Sequence, residues 1–273
     1  MIRLIAVAFA FATAVLTLTT SASAATCGGA YPNFLAQMQR DAQAVGISQA
    51  TIAQAFAGLA PDQTVLDFDR RQHGMFHSKS FEEYARTRVI PARINRAKKL
   101  MVQHADLLSR VERQFGVPRE LIMAIWTMET DNGTGDMGKL PVVRTLSTLA
   151  WDCRRTDLFQ SEFLAALKIL QRGDLPLRDL IGAYAGEIGQ TQFLPSSYIK
   201  YGVDYDHDGR VDLRHSVPDV LASTANLLHT NGWQPGQPYR EGTPNFDAMR
   251  EWNHSEVYRK TLVLFAEQLG GRP

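Results

Sequence analysis

Residues 121–133 read Leu121-Ile-Met-Ala-Ile-Trp-Thr-Met-Glu129-Thr-Asp-Asn-Gly133. Leu121, Ile122, Ile125 and Met128 recur at helical spacing, which predicts a core helix. Pro118 suits its first turn, and Asn132-Gly133 is a stop signal. Glu129 lies seven residues past Ile122 and four past Ile125, so its carboxylate stands at the edge of the apolar stripe, in the last turn. Apolar neighbours such as Trp126 and Met128, with the negative end of the helix dipole, disfavour its charge. A carboxyl that keeps its proton near neutral pH is a general acid, the group that cleavage of a glycosidic bond needs. A glutamate at a helix end is also often just a solvated residue, and this stretch alone does not separate the two readings.

The chain has 273 residues, 45% hydrophobic and 21% charged, which suits one or two globular domains. A formal net charge of +1 argues against non-specific nucleic-acid binding. Arg3 precedes an apolar run from Leu4 to about Leu18, followed by small residues at Ala22-Ser23-Ala24. That is the pattern of a cleavable signal peptide over residues 1–24, and the run is shorter than the ~20 apolar residues of a membrane span. Cys27 raises the question of a lipid anchor, but Ala24-Ala25-Thr26 fits a lipid-attachment box poorly, so an exported, periplasmic protein is expected. The only two cysteines, Cys27 and Cys153, are expected to pair in an oxidising compartment, the alternative being two buried thiols.

Two short helices are expected between Phe34 and Phe56, broken at Gly46-Ile47-Ser48 with Ser48 as an N-cap. Residues 63–80 read as a surface connector, and Phe81 to Arg110 as basic helix with a boundary at Pro91. Further helices are expected from Leu140 to Ala150, from Phe159 to Leu170, after Ser196 or Ser197, from Val217 to Leu228, and from Trp252 to Leu269. No stretch alternates convincingly, so little strand is expected.

The second informative stretch is Asp204-Tyr-Asp206-His-Asp208-Gly209-Arg210-Val-Asp212. Carboxylates stand at positions 1, 3, 5 and 9 of a loop with glycine at 6, which is calcium-loop spacing. The Arg210 carbonyl adds an oxygen at position 7. His215 replaces the usual glutamate at position 12, and Asp219 is the carboxylate available to close the site. An acidic surface turn without metal is the plainer alternative. Without the bidentate glutamate, a structural ion of modest affinity is expected rather than a switch.

With these stretches in hand, the chain resembles the lytic murein transglycosylases of the membrane-bound B type, glycoside hydrolase family 103, from about Phe34 to Leu269. Glu129-Thr-Asp-Asn-Gly matches the family's catalytic glutamate and turn. Arg154-Arg155 matches a paired arginine of the cleft. Gly186-Glu-Ile-Gly-Gln-Thr-Gln192-Phe-Leu-Pro-Ser-Ser matches its glycine-glutamine-phenylalanine signature, and Trp252-Asn253-His-Ser-Glu-Val-Tyr258 a glycan-contacting segment. In such proteins the late aspartate, here Asp219, stands in for the calcium-loop glutamate. Ala183 stands where some members carry a serine, which puts a hydroxyl partner for Glu129 in question, and Glu187 stands where alanine is more usual; with Pro273 last, the peptidoglycan-binding module that some relatives append is not expected.

The resemblance implies a mainly α fold: a lysozyme-like core at about 116–230, an EF-hand-like calcium loop, a helical part at about 30–115 and another at about 231–273. It implies cleavage between N-acetylmuramic acid and N-acetylglucosamine of peptidoglycan, with Glu129 as acid and then base, leaving 1,6-anhydro ends. Gln192 and Asn253 are expected to hydrogen-bond the glycan. Arg154 and Arg155 are expected to meet lactyl or peptide carboxylates, and Tyr84, Phe193, Trp252 and Tyr258 to stack on sugar faces; core packing and surface ion pairing are the plainer readings. A structural Ca2+, no organic cofactor, a monomer, and partners in cell-wall synthesis or turnover complete the expectation. Two alternatives stay open: a hydrolytic muramidase with Glu187 or Asp131 as second carboxylate, and a non-catalytic glycan-binding envelope protein.

Overall fold

The computed structural model describes residues 25–71 and 80–273. The expected signal segment, residues 1–24, lies outside them, as do residues 72–79 of the expected connector. No helix among the described residues is long and apolar enough to cross a membrane.

The chain is mainly helical. In order it runs α1 (Tyr31–Ala44), α2 (Gln49–Phe56), α3 (Gln63–Arg71), α4 (Phe81–Arg88), α5 (Pro91–Gln103), α6 (Ala105–Phe115) and α7 (Arg119–Thr130). There follow β1 (Leu140–Pro141), α8 (Val142–Trp151), α9 (Thr156–Arg172), β2 (Ile181–Gly182), α10 (Pro195–Tyr201), α11 (Val217–Thr230), α12 (Pro244–Ala248) and α13 (Glu256–Gln268). The two strands pair antiparallel, Leu140 opposite Gly182 and Pro141 opposite Ile181. Isolated bridges, Gly182 to Ile188 and Ile188 to Phe193, carry the ladder one step further.

Helix α7 organises the rest. Every residue from Leu121 to Met128 is buried, so the helix has no solvent face and must be enclosed. Helices α5, α6, α11 and α13 pack around it. Its end is fixed by Asp131, which turns left-handed at φ 50°. The Asp131 N–H donates to the Thr127 carbonyl at 3.0 Å and that of Asn132 to Trp126 at 3.2 Å, satisfying carbonyls the helix would leave open.

Ser48 caps α2 as expected, its hydroxyl accepting from the Thr51 N–H at 3.2 Å. Elsewhere the boundaries differ. The expected connector begins with α3, whose Val65 and Leu66 are buried and which packs on α8; only these two apolar residues of the nine-residue helix are buried, too weak a pattern among polar neighbours. The basic helical stretch breaks a second time at His104, where no proline or glycine announces it. Leu194, not a serine, caps α10, with Pro195 in its first turn, and the Ser196 hydroxyl instead donates to Glu162 at 2.6 Å. Residues 252–255 do not join the last helix, because Ser255 caps α13. The short α12, capped by Thr243, was not anticipated.

Cys27 and Cys153 form a disulfide, which ties the first described residues to the turn between α8 and α9.

Candidate active site

The end of α7 borders a groove of about 440 Å³. Glu129, Glu187, Gln192, Phe193, Trp252 and Asn253 line it, with Thr191, Leu194, Ser197, Leu227, Glu251 and His254. Three stretches far apart in sequence therefore meet here: the last turn of α7, the loop from Gly186 to Leu194, and the turn between α12 and α13.

The loop is held to α7 by Gln190. Its buried side chain accepts the Trp126 indole N–H at 2.8 Å and donates to the Arg214 carbonyl at 2.9 Å. Its own carbonyl accepts the Thr130 hydroxyl at 2.5 Å. Ile188 and Phe193 exchange backbone hydrogen bonds of 2.7 and 3.0 Å, which closes Gly189 to Gln192 into a tight turn. Gly189 is required there: φ is +80°, and a Cβ would stand 2.2 Å from the Leu213 carbonyl oxygen. Gln192 also adopts a left-handed conformation, φ 54°, a strain more usual at functional turns than in ordinary loops. Its amide donates to the Gly189 carbonyl at 2.8 Å.

Glu129 is held by the C-terminal stretch. The Tyr258 hydroxyl and the Trp252 indole N–H, the latter at 3.2 Å, both donate to its Oε1. With two donors on one oxygen, the proton of the neutral acid belongs on Oε2. Burial is the largest influence on this carboxyl and raises its pKa. The two hydrogen bonds oppose that shift, the nearby Glu187 carboxylate adds to it, and Arg88 opposes it; the net direction is upward. The hydroxyl that meets Glu129 is that of Tyr258, while position 183, an alanine, has none to offer. Tyr258 is itself buried, 8% exposed, so it offers no ring face to a sugar. Burial, the Glu129 charge and its hydrogen bond to Glu129 all push the Tyr258 phenol upward, keeping it a donor.

Of the other expected residues, Phe193 is buried and packs its ring against Trp252, centroids 5.5 Å apart at 73°. The Asn253 side chain accepts the Ser255 N–H at 2.8 Å, so the groove residue also shapes the start of α13. Tyr84 is not among the residues lining this groove; the Arg88 guanidinium lies over its ring. Nor do Arg154 and Arg155 line it: both pair with the buried Asp69 of α3, Arg155 at 2.7 Å. Burial alone would raise the Asp69 pKa, but those two arginines hold it below its usual range. The two candidate second carboxylates separate. Asp131 is tied to Arg93 at 2.6 Å, whereas Glu187 lines the groove with one oxygen accepting the Ala185 N–H at 2.9 Å. Sequence reading missed Gln190, Glu251 and His254; the last two flank Trp252-Asn253, and Gln190 could have been found from its place in the glutamine-rich turn.

In the acidic loop, carboxylate oxygens of Asp204, Asp206 and Asp219 lie within 4.8 Å of one another. Asp208 stays outside that cluster and pairs with Arg210 at 3.1 Å, so the side chains of two expected ligand positions engage each other. Asp219 is fully buried and accepts the N–H groups of Tyr205 and Asp212, each at 2.8 Å. Burial is the main cause of its raised pKa. Three hard oxygen donors, one of them deprived of water, suit a calcium-sized cation.

The family model described as Transglycosylase SLT domain matches residues 30–243. The chain is 35% identical over 155 residues to "Membrane-bound lytic murein transglycosylase B" of Escherichia coli K12, a match covering 56% of this chain and 42% of that protein. The chain thus spans less than half the length of that relative. The structure is similar to SltB3 from Pseudomonas aeruginosa in complex with NAG-anhNAM-pentapeptide: TM-score 0.81 and 30% identity, over 89% of this chain and 80% of that one. It is also similar to the Escherichia coli lytic transglycosylase Slt35 in complex with calcium, TM-score 0.77, over 90% of this chain and 96% of that one. At 23% identity that last likeness speaks for the fold alone.

Proposed function

Because this chain belongs to the Transglycosylase SLT domain family, we propose that it is a lytic transglycosylase acting on the N-acetylmuramoyl–N-acetylglucosamine bond of peptidoglycan. The observation that carries the reading is Glu129, a carboxyl with a raised pKa at a groove, both of its hydrogen-bond donors on one oxygen.

Glu129 gives the Oε2 proton to the bridging oxygen as the bond to C1 of the muramoyl sugar breaks. The resulting carboxylate, still held by Tyr258 and Trp252, takes the proton of the same sugar's C6 hydroxyl, whose oxygen closes on C1. The attacking group is part of the substrate, so little entropy is lost in bringing it to its target, and no second carboxylate is needed. Gln192 and Asn253 grip acetamido and hydroxyl groups along the groove, and Trp252 offers its partly exposed ring to a sugar face. SltB3, bound to a disaccharide pentapeptide with an anhydro sugar, supports both the substrate and the product. Asp204, Asp206 and Asp219 would hold a structural calcium ion, which would offset their mutual repulsion in the loop that leads to Leu213 and Arg214, the residues whose carbonyls accept from Gln190. Export to the periplasm follows from the signal-like residues 1–24.

Glu187 favours one second reading, hydrolysis, since it places another carboxylate on the same groove. Mass spectrometry of digested murein separates the two: anhydro ends are one water lighter than reducing ends. Under the transglycosylase reading the products are anhydro, and Glu129→Gln loses activity about a hundredfold to ten-thousandfold. Unchanged turnover in that variant would remove Glu129 from the reaction.

A further inference from the structure

Glu187 lines the groove alongside Glu129, in the loop that begins at Gly186. Its backbone is fixed: the carbonyl accepts the Ala183 N–H at 2.9 Å, and the next residue, Ile188, bridges to Gly182 and Phe193. One carboxylate oxygen is fixed as well, Oε2 accepting the Ala185 N–H at 2.9 Å. The other, Oε1, has no partner among the described residues and stays open to solvent. Glu187 is thus a half-buried carboxylate held in place on the groove wall, with one acceptor oxygen to spare. Asp131, the other carboxylate at the end of α7, has no such freedom, because Arg93 holds it at 2.6 Å.

Charge decides what that oxygen is suited to take. Glu129, Glu187 and Glu251 line the groove, and no described lysine or arginine does. Glu187 makes no ion pair among the described residues. Its charge disfavours a second one on Glu129, so it opposes the moment at which Glu129 gives up its proton. A sugar hydroxyl donating to Oε1 satisfies the oxygen but leaves the charge in place. A cationic donor satisfies both, and it eases the charge that develops on Glu129. With Oε2 already engaged, the carboxylate offers a single oxygen, which suits the point charge of an ammonium better than the two-pronged guanidinium. In murein-type ligands an ammonium stands at C2 of a hexosamine that has lost its acetyl group, or on an unlinked amine of the attached peptide.

We propose that Glu187 is a specificity-determining residue, its free oxygen taking an ammonium group carried by the substrate. This rests on the reading of the groove as a murein site. The test is calorimetric binding to the full chain carrying Glu129→Gln, so that ligand is held and not cleaved. Two matched pairs of probes are used. One is a glucosamine oligomer with its N-acetylated counterpart of equal length; the other is N-acetylglucosaminyl-N-acetylmuramoyl pentapeptide bearing a lysine, with its amine free or acetylated. Adding Glu187→Gln, which keeps the size of the side chain and an acceptor for the Ala185 N–H, weakens the amine-bearing member of a pair about 5- to 20-fold at low salt. It leaves both acetylated members within about twofold, and the loss shrinks at high salt. Loss confined to the oligomer pair places the ammonium on the sugar, and loss confined to the pentapeptide pair places it on the peptide. Equal loss on both members of each pair, or none on any probe, overturns the assignment, and Glu187→Ala carries the comparison if the glutamine variant does not fold. Acetylated probes that still bind then leave the murein reading standing, whereas a Glu187-intact chain that binds no probe at all loses both.

Discussion

The burial of Glu129 makes its contribution to stability depend on pH. Folding raises its pKa, so the folded chain holds this proton more tightly than the unfolded chain. The contribution is therefore complete at low pH and is lost as pH rises through the folded pKa. Glutamine keeps both hydrogen bonds without that loss, so Glu129→Gln is expected to be more stable than the parent at pH 8, by about 1 kcal/mol or ~2–4 °C in Tm. Equal or lower melting of the variant at that pH would contradict the burial argument. Two other residues shift the same carboxyl in opposite directions. Tyr258→Phe removes a donor that favours the charged form, so the alkaline limb of the pH–rate profile moves to higher pH, with about a tenfold drop in the maximum. Glu187→Ala removes a like charge, so the limb moves to lower pH, more visibly at low salt. Limbs moving together would show that the profile reports another group. At this scale the carboxyl with the raised pKa was legible, because its helix, its position in the last turn and its apolar neighbours are local. Its partner was not: Tyr258 is 129 residues away, and nothing local tells a tyrosine bound for a carboxylate from one bound for a sugar.

Among the elements, the Gly186–Leu194 loop does most to shape the groove, and it is an interior turn rather than a flexible lid. Gln190 joins it to α7 and to the Leu213–Arg214 backbone, while Gln192 lines the groove. Two glutamines two residues apart in one motif thus do different work, one holding the loop and one lining the groove. Gly189→Ala forces a side chain into the Leu213 carbonyl at a left-handed φ and is expected to cost about 2–4 kcal/mol, read as a lowered urea midpoint. Murein cleavage at temperatures where the variant is still folded should fall as well, since Gln192 depends on the Gly189 carbonyl. Helices with strong caps or long apolar stripes, such as α2, α7, α9 and α11, could be read ahead. The helices read poorly were α3 and α12, nine and five residues long, whose few buried side chains gain their meaning only from the surfaces that receive them.

For the whole molecule, the acidic loop is where binding of a cation would be coupled to folding. Asp219 brings its carboxylate from α11 to the Asp204–Asp206 turn, and three like charges so close repel one another unless a cation joins them. Calcium in hundredfold excess over its Kd is expected to add about 2.7 kcal/mol, seen as a Tm that rises with calcium and falls with chelator. Asp219→Asn should abolish that dependence; a Tm indifferent to calcium in the parent chain would exclude the site. The disulfide joins the first described residues to the turn before α9, and with only two cysteines its pairing was already settled in the sequence once oxidation was assumed. By itself, the sequence determined what short-range pattern can encode: the helical class, the enclosed α7, the acid in its last turn, the calcium-loop spacing and the single possible disulfide. Tertiary packing alone decided which side chains share a charge or a hydrogen bond. It sent Arg154 and Arg155 to Asp69, Asp131 to Arg93 and Tyr258 to Glu129. Coulomb and hydrogen-bond energies act over a few ångströms of space, and residues that close can be any distance apart along the chain.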